Sequence, residues 1–127
     1  MTALPDITIA RVYDARMADG RARLLVDRLW PRGLTKAELA LDAWLRDVTP
    51  STGLRRWFHQ DPAHWDAFRE RYQAELSANP TAVSVAEDWC RRGPVTLLTA
   101  ARDRTHNHAV VLRDHLIEAC AKGDGGR

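Results

Sequence analysis

Residues 23–33 read Arg23-Leu24-Leu25-Val26-Asp27-Arg28-Leu29-Trp30-Pro31-Arg32-Gly33. An unbroken apolar run gives way at once to charge, and then to Pro31 and Gly33. Continuous apolarity, rather than alternation, is what a strand covered on both faces requires, and the proline and glycine put residues 29–35 in a loop. The pattern recurs at Val95–Ala101, where Val95-Thr96-Leu97-Leu98-Thr99 runs into Arg102-Asp103-Arg104-Thr105-His106-Asn107-His108. Two buried strands that each end in a basic loop point to a sheet sandwiched between helices.

The rest of the chain supplies those helices. Lys36–Ala40 fits one helical turn, and Leu41–Val48 fits either a strand or a helix. Thr49-Pro50 ends that segment, and Ser51 or Thr52 caps the next helix, with Leu54, Trp57 and Phe58 facing inward. Asp61-Pro62 places a cap before a proline at the first helical position; Trp65, Phe68, Tyr72 and Leu76 follow at helical spacing. Asn79-Pro80 opens a helix to about Arg92, stopped by Gly93-Pro94. Asp103 or Thr105 caps a final helix to about Ala121, with Ala109, Leu112, Leu116 and Cys120 as its apolar stripe. Near the start, Ile7–Val12 is a β-rich run and Asp19-Gly20 a turn signal, so Ile7–Val12 and Arg23–Asp27 are expected to form a hairpin. The alternation predicts an α/β fold of three layers, a small and largely parallel sheet flanked by helices, Rossmann-like in character. One domain is expected over residues 1–122, with 123–127 as a flexible tail.

Composition narrows the function. The chain has 127 residues, 45% hydrophobic and 28% charged, with a net charge of +2; it is neither disordered nor a polycation. Its two cysteines, Cys90 and Cys120, are too few for a secreted disulfide scaffold and read as small buried hydrophobes. No apolar run approaches the roughly 18 residues of a membrane span, and Met1–Asp6 lacks a basic-then-apolar leader. A cytoplasmic protein with no membrane partner is expected.

Ligands of open α/β sheets sit beyond the carboxyl ends of the strands, and helix N-termini offer free N–H groups there. If the two strands are parallel, Arg28, Arg32 and Arg102 converge with the start of the last helix. A small anion, phosphorylated or nucleotide-like, is the expected ligand, since the guanidinium fork matches phosphate and carboxylate. Trp30 fits either base stacking or a plug in the core. Ser51 fits a helix cap whose N–H groups face the anion, and His106 or Asn107 a contact from the first turn of the last helix. Asp103 and His59 are the acid/base candidates.

The competing reading is structural: Asp27 pairs with Arg102 and Asp103 with Arg28, only to lock loops. A nucleic-acid surface over residues 21–36 and Arg55-Arg56 is a third reading, disfavoured by the modest net charge. On a helix His106 and His108 would point about 200° apart, so no metal site is expected. No nucleophile elbow, dinucleotide fingerprint, Walker loop or Cys-x-x-Cys is present, so no cofactor and no reaction class can be assigned.

The string Leu25-Val26-Asp27-Arg28-Leu29-Trp30-Pro31-Arg32-Gly33-Leu34 is distinctive, and further motifs accompany it: Trp44, Pro50-Ser51, Leu54-Arg55, Trp57-Phe58, Phe68, Tyr72, Glu75-Leu76, Val95-Thr96-Leu97-Leu98, Ala100-Ala101 and Asn107-His108-Ala109-Val110-Val111-Leu112. Together, over roughly Ile9 to Leu116, the chain resembles the domain-of-unknown-function 488 family in its short YeaO-like branch. The resemblance implies a compact bacterial α/β domain and carries no catalytic residues with it. Thr99 stands where that family often has an aromatic residue, which weakens any case for base stacking at that point.

Overall fold

The computed structural model describes residues 4–14 and 20–125. Strands β1 (Ile7–Arg11), β2 (Ala22–Leu25), β3 (Ala43–Trp44) and β4 (Val95–Thr99) form a four-stranded sheet in the order β1-β4-β2-β3. Every pairing is parallel: Ile7 lies opposite Val95, Leu24 opposite Leu97, and Leu24 opposite Ala43. The helices are α1 (Lys36–Leu39), α2 (Thr52–Gln60), α3 (Trp65–Ser77), α4 (Pro80–Arg92) and α5 (His108–Gly125).

The predicted hairpin does not form. β4 inserts between β1 and β2 and pairs with both. β2 and β4 are apolar on both faces and buried almost throughout, so the centre of the sheet is where they are most stable; a two-stranded hairpin would have left one face of each in water. Asp19 of the expected turn lies outside the described residues. The segment 41–48 divides into the two-residue β3 and a 3-10 turn at Arg46–Val48.

Successive residues of a strand face opposite ways, and the two cores show it. Leu24, Val95 and Leu97 pack with Leu54, Phe68, Tyr72, Val83, Ala86, Leu112 and Leu116, so α2–α5 all cover one face. Leu25 and Leu98 face the other way, onto Val12, Leu39, Trp30 and Trp44. The third layer is therefore thin, made of α1 and the loop after β2, and Rossmann-like describes the fold only loosely. Both cysteines lie in the thick core; burial, and then the neighbouring Cys120, push the Cys90 thiol up to about 12.

Local signals explain most boundaries. α3 carries Phe68, Tyr72 and Leu76 on its buried stripe, and α4 begins at Pro80. The Asp61-Pro62 signal starts a 3-10 turn over Pro62–His64 that leads into α3. α5 starts at His108, later than expected. Its cap is Asn107, whose side-chain oxygen accepts the Val110 N–H at 3.1 Å; Asp103 and Thr105 belong to the loop before it.

Helix α1 ends at Ala40, which sits in the left-handed region at φ 48° and ψ 53°, its N–H bonded to the Lys36 carbonyl. Alanine carries a steric cost there that glycine does not. Ala40→Gly should raise stability by about 0.5–1 kcal/mol, read as a higher urea midpoint with an unchanged slope.

Candidate functional site at the strand ends

All four strands run the same way, so the loops after β1, β2, β3 and β4 leave the sheet at one end. At that end three carboxylates, Asp27, Glu75 and Asp103, are already paired with neighbouring donors. Asp27 follows β2, and its carboxylate accepts the Thr99 hydroxyl at 2.7 Å and the Ala100 N–H at 2.7 Å. The first residue of α5, His108, places Nε2 at 3.0 Å from the same carboxylate and 2.8 Å from the Val26 carbonyl. Both neighbours are acceptors, so Nε2 carries a proton. The Asp27 carbonyl accepts the Trp44 indole N–H at 2.7 Å. One residue thus ties together the ends of β2, β3 and β4 and the start of α5. Burial pushes the Asp27 carboxyl up, but His108, the Ala100 N–H and the Thr99 hydroxyl outweigh it and hold the group below the usual carboxylate value.

A second carboxylate fills the start of α2. Ser51 caps this helix by accepting the Leu54 N–H. Its hydroxyl donates to Glu75 of α3 at 2.6 Å and its backbone N–H donates to the same carboxylate at 2.8 Å. Tyr72, one helical turn earlier, donates its hydroxyl to the Val48 carbonyl. Burial and the charges of Glu75 and Asp27 raise the phenol above its ordinary value, so it remains a donor.

The third carboxylate, Asp103, is exposed and closes its own loop. It accepts the N–H of His106 at 2.9 Å, the N–H of Thr105 at 2.9 Å and the Thr105 hydroxyl. The N–H groups of His106 and Thr105 hold it below the usual carboxylate value. A carboxylate so stabilised is a weak base and a poor proton donor near neutrality.

The remaining candidates are dispersed. Trp30 packs into the thin core, edge-on to Trp44 with centroids 5.4 Å apart, and donates its indole N–H to the Leu34 carbonyl at 2.7 Å; this is the plug geometry. Gly33, at φ 79°, makes the turn that brings Leu34 back to it. Arg28 is half-buried, with one N–H directed at the Pro50 carbonyl at 3.5 Å, and its Nε is buried without a partner, as is that of Arg55. Arg32 and Arg102 are exposed. His106 stacks on Trp65, centroids 4.8 Å apart, while His108 points to Asp27, so the two histidines do diverge. Asn107 is buried and also donates to the Asp103 carbonyl at 2.7 Å. His59 is exposed near the end of α2 beside Phe58.

Neither expected loop-locking pair forms. Asp27 takes His108 in place of Arg102, and Asp103 takes its own following peptide groups in place of Arg28. His108, Thr99, Glu75 and Tyr72 belong to the network but not to the residues expected from the sequence to form a site. The available signal was Asp27 itself, a carboxylate at the end of a buried strand that must find donors.

Fold and site together define a small parallel α/β domain with a hydrogen-bonded network of Asp27, Thr99, His108 and Trp44 at the strand ends. The chain belongs to the family described as the inactive DUF488-N3 subclade, which matches residues 6–127. Similar proteins include "Uncharacterized protein YeaO" of Escherichia coli strain K12, 47% identical over 112 residues, covering 87% of this chain and 96% of the relative. "Uncharacterized protein Rv3073c" of Mycobacterium tuberculosis strain H37Rv is 40% identical over 106 residues, covering 84% of this chain and 89% of the relative. No solved structure matches. No helix among the described residues is long and apolar enough to cross a membrane.

Asp27→Asn should cost about 3 kcal/mol at pH 7, because His108 and Thr99 lose a charged acceptor. The folded carboxyl titrates below its unfolded value of about 3.9, so its contribution is complete above that pH and disappears as pH falls through the lower folded value. Urea unfolding from pH 7 down to pH 2 should therefore show the gap between wild type and Asp27→Asn closing only below about pH 4.

Proposed function

We propose that this chain is a non-enzymatic binding domain, in which the crevice that parallel α/β folds use for an anionic ligand is closed by internal carboxylates. The observation that carries this reading is the Glu75 carboxylate on the Ser51 N–H and hydroxyl, at the N-terminus of α2 where a phosphate would otherwise bind. Asp103 on the peptide groups of Thr105 and His106, and Asp27 on Ala100 and Thr99, repeat the arrangement. Each carboxylate meets donors that a ligand would need. The description of the family as inactive agrees with this reading.

A second reading keeps the small-anion site, lined by Arg28, Arg32, Arg102 and the start of α5. The unpartnered Nε atoms of Arg28 and Arg55 favour it, since buried donors normally find an acceptor.

Thermal unfolding separates the two. With ionic strength matched by chloride, wild type should show no saturable stabilisation by millimolar phosphate, sulfate or AMP. Glu75→Ala, which frees the start of α2, should lose about 1–3 kcal/mol and gain a phosphate-dependent rise in Tm. Saturable stabilisation of wild type that vanishes in Arg28→Ala would establish the anion site instead.

A further inference from the structure

Away from the strand ends, β1 is an edge strand with no partner on its outer side among the described residues, and that open edge borders a groove of about 350 Å³ lined by Ile7, Ile9, Arg11, Arg104, Val110 and Arg113, among others. It lies between an edge strand and the first turns of α5. The ladder on the inner side of β1 fixes which peptide groups face it. The Val95 N–H donates to the Asp6 carbonyl and the Val12 N–H to the Thr99 carbonyl, in the register Ile7 to Val95 and Arg11 to Thr99. Peptide groups alternate sides along a strand. The even-numbered residues therefore bond to β4, and the N–H and C=O groups of Ile7 and Ile9, with the N–H of Arg11, point outward. The Arg11 carbonyl is taken by the Asp14 N–H at 3.0 Å, which closes the far end of the edge.

Such an edge is a template for another strand, and nothing in β1 blunts it with a proline or lysine. Its surroundings select the partner. Among the described residues the groove is lined by Arg11, Arg104 and Arg113 and by no acidic side chain. Arg104 pairs with Asp14 at 2.5 Å, Arg113 contacts Asp114 through Nε at 3.1 Å, and Arg11 Nε donates to the Ala101 carbonyl at 3.0 Å. A guanidinium has five N–H donors, so each retains others for an incoming carboxylate. A second copy of this chain would bring the same arginines against themselves, which disfavours self-pairing.

We propose that the open edge of β1 binds an extended acidic segment of a partner protein, which adds to the sheet as a further strand. Its backbone pairs with Ile7 and Ile9, its apolar side chains meet Ile7, Ile9 and Val110, and its carboxylates reach Arg11, Arg104 and Arg113. This rests on the reading of the chain as a binding domain, and the two fail separately: phosphate bound at Arg28 would overturn that reading without moving the β1 amides.

The probe is a capped Val/Glu peptide of about six residues, Val-Thr-Val-Thr-Glu-Thr, whose Val and Glu side chains share one face as those of Ile7, Ile9 and Arg11 do, titrated into ¹⁵N-labelled protein at low salt, with the Val/Lys peptide of the same pattern as control. Saturable shifts should appear at the amides of Ile7, Ile9 and Arg11, with slowed hydrogen exchange at Ile9, and the Val/Lys peptide should produce none. Arg113→Glu, at a half-exposed position, should weaken binding at least about tenfold. Ile9→Pro removes an outward N–H, which an edge strand tolerates, together with an apolar side chain that packs on the core; it should abolish binding and lower the Tm while leaving the far-UV circular dichroism of the folded protein unchanged. The proposal is overturned by the absence of shifts with the Val/Glu peptide, by equal binding of both peptides, or by binding indifferent to Arg113→Glu. Sedimentation showing self-association that Ile9→Pro removes would assign the edge to a second copy and overturn it too.

Discussion

A carboxylate at the end of a buried strand must gather donors, or its desolvation loosens the structure around it. Asp27 gathers them from three places. Thr99 and Ala100 come from the neighbouring strand and the loop after it, and His108 from the first turn of α5. The lengths of other elements are set by this. β4 stops at Thr99 because the next N–H turns to Asp27 rather than along the ladder. α5 starts at His108, behind the Asn107 cap, and its first residue reaches both Asp27 and the Val26 carbonyl. β3 ends at Trp44, whose indole holds the Asp27 carbonyl. The network needs parallel strands, since only then do these groups leave the sheet at the same end.

The same constraint governs what the crevice can accept. Parallel strands and helix N-termini concentrate donors and partial positive charge at one end of an α/β sheet. An enzyme or a nucleotide-binding domain leaves those donors for its ligand. Here Glu75, Asp103 and Asp27 lie on them. On the reading proposed above, a ligand would have to displace a carboxylate tethered to the chain, and so present at high effective concentration without the entropy loss of association. The arginines of the Asp-Arg-Leu-Trp-Pro-Arg-Gly string do not offset this: Arg32 is exposed, and Arg28 lies half-buried against the Pro50 carbonyl.

The sequence made some of this legible. The apolar runs at 24–26 and 95–98, the Asn79-Pro80 boundary and the spacing of Phe68, Tyr72 and Leu76 each carry their own local cause, and each element lies where it was expected. The order of the strands was not legible. Adjacency in sequence suggested a hairpin, while adjacency in space depends on β4, some seventy residues later, being apolar enough on both faces to take the centre. The site was half legible, for the same reason. The basic loops and the strand ends could be located, but the partners of Asp27 and Ser51 lie in α5 and α3, and no spacing rule links them. Trp30 looked alike as plug or platform because both uses need the same residue beside the same glycine.

The most direct measurement is a crystal structure grown in concentrated ammonium sulfate. The account predicts Glu75 bonded to the Ser51 N–H and hydroxyl, Asp103 bonded to Thr105 and His106, and no ordered sulfate at the start of α2 or in the loop leading into α5. A sulfate held by Arg28 and the peptide groups of residues 103–108, with Asp103 turned away, would contradict it.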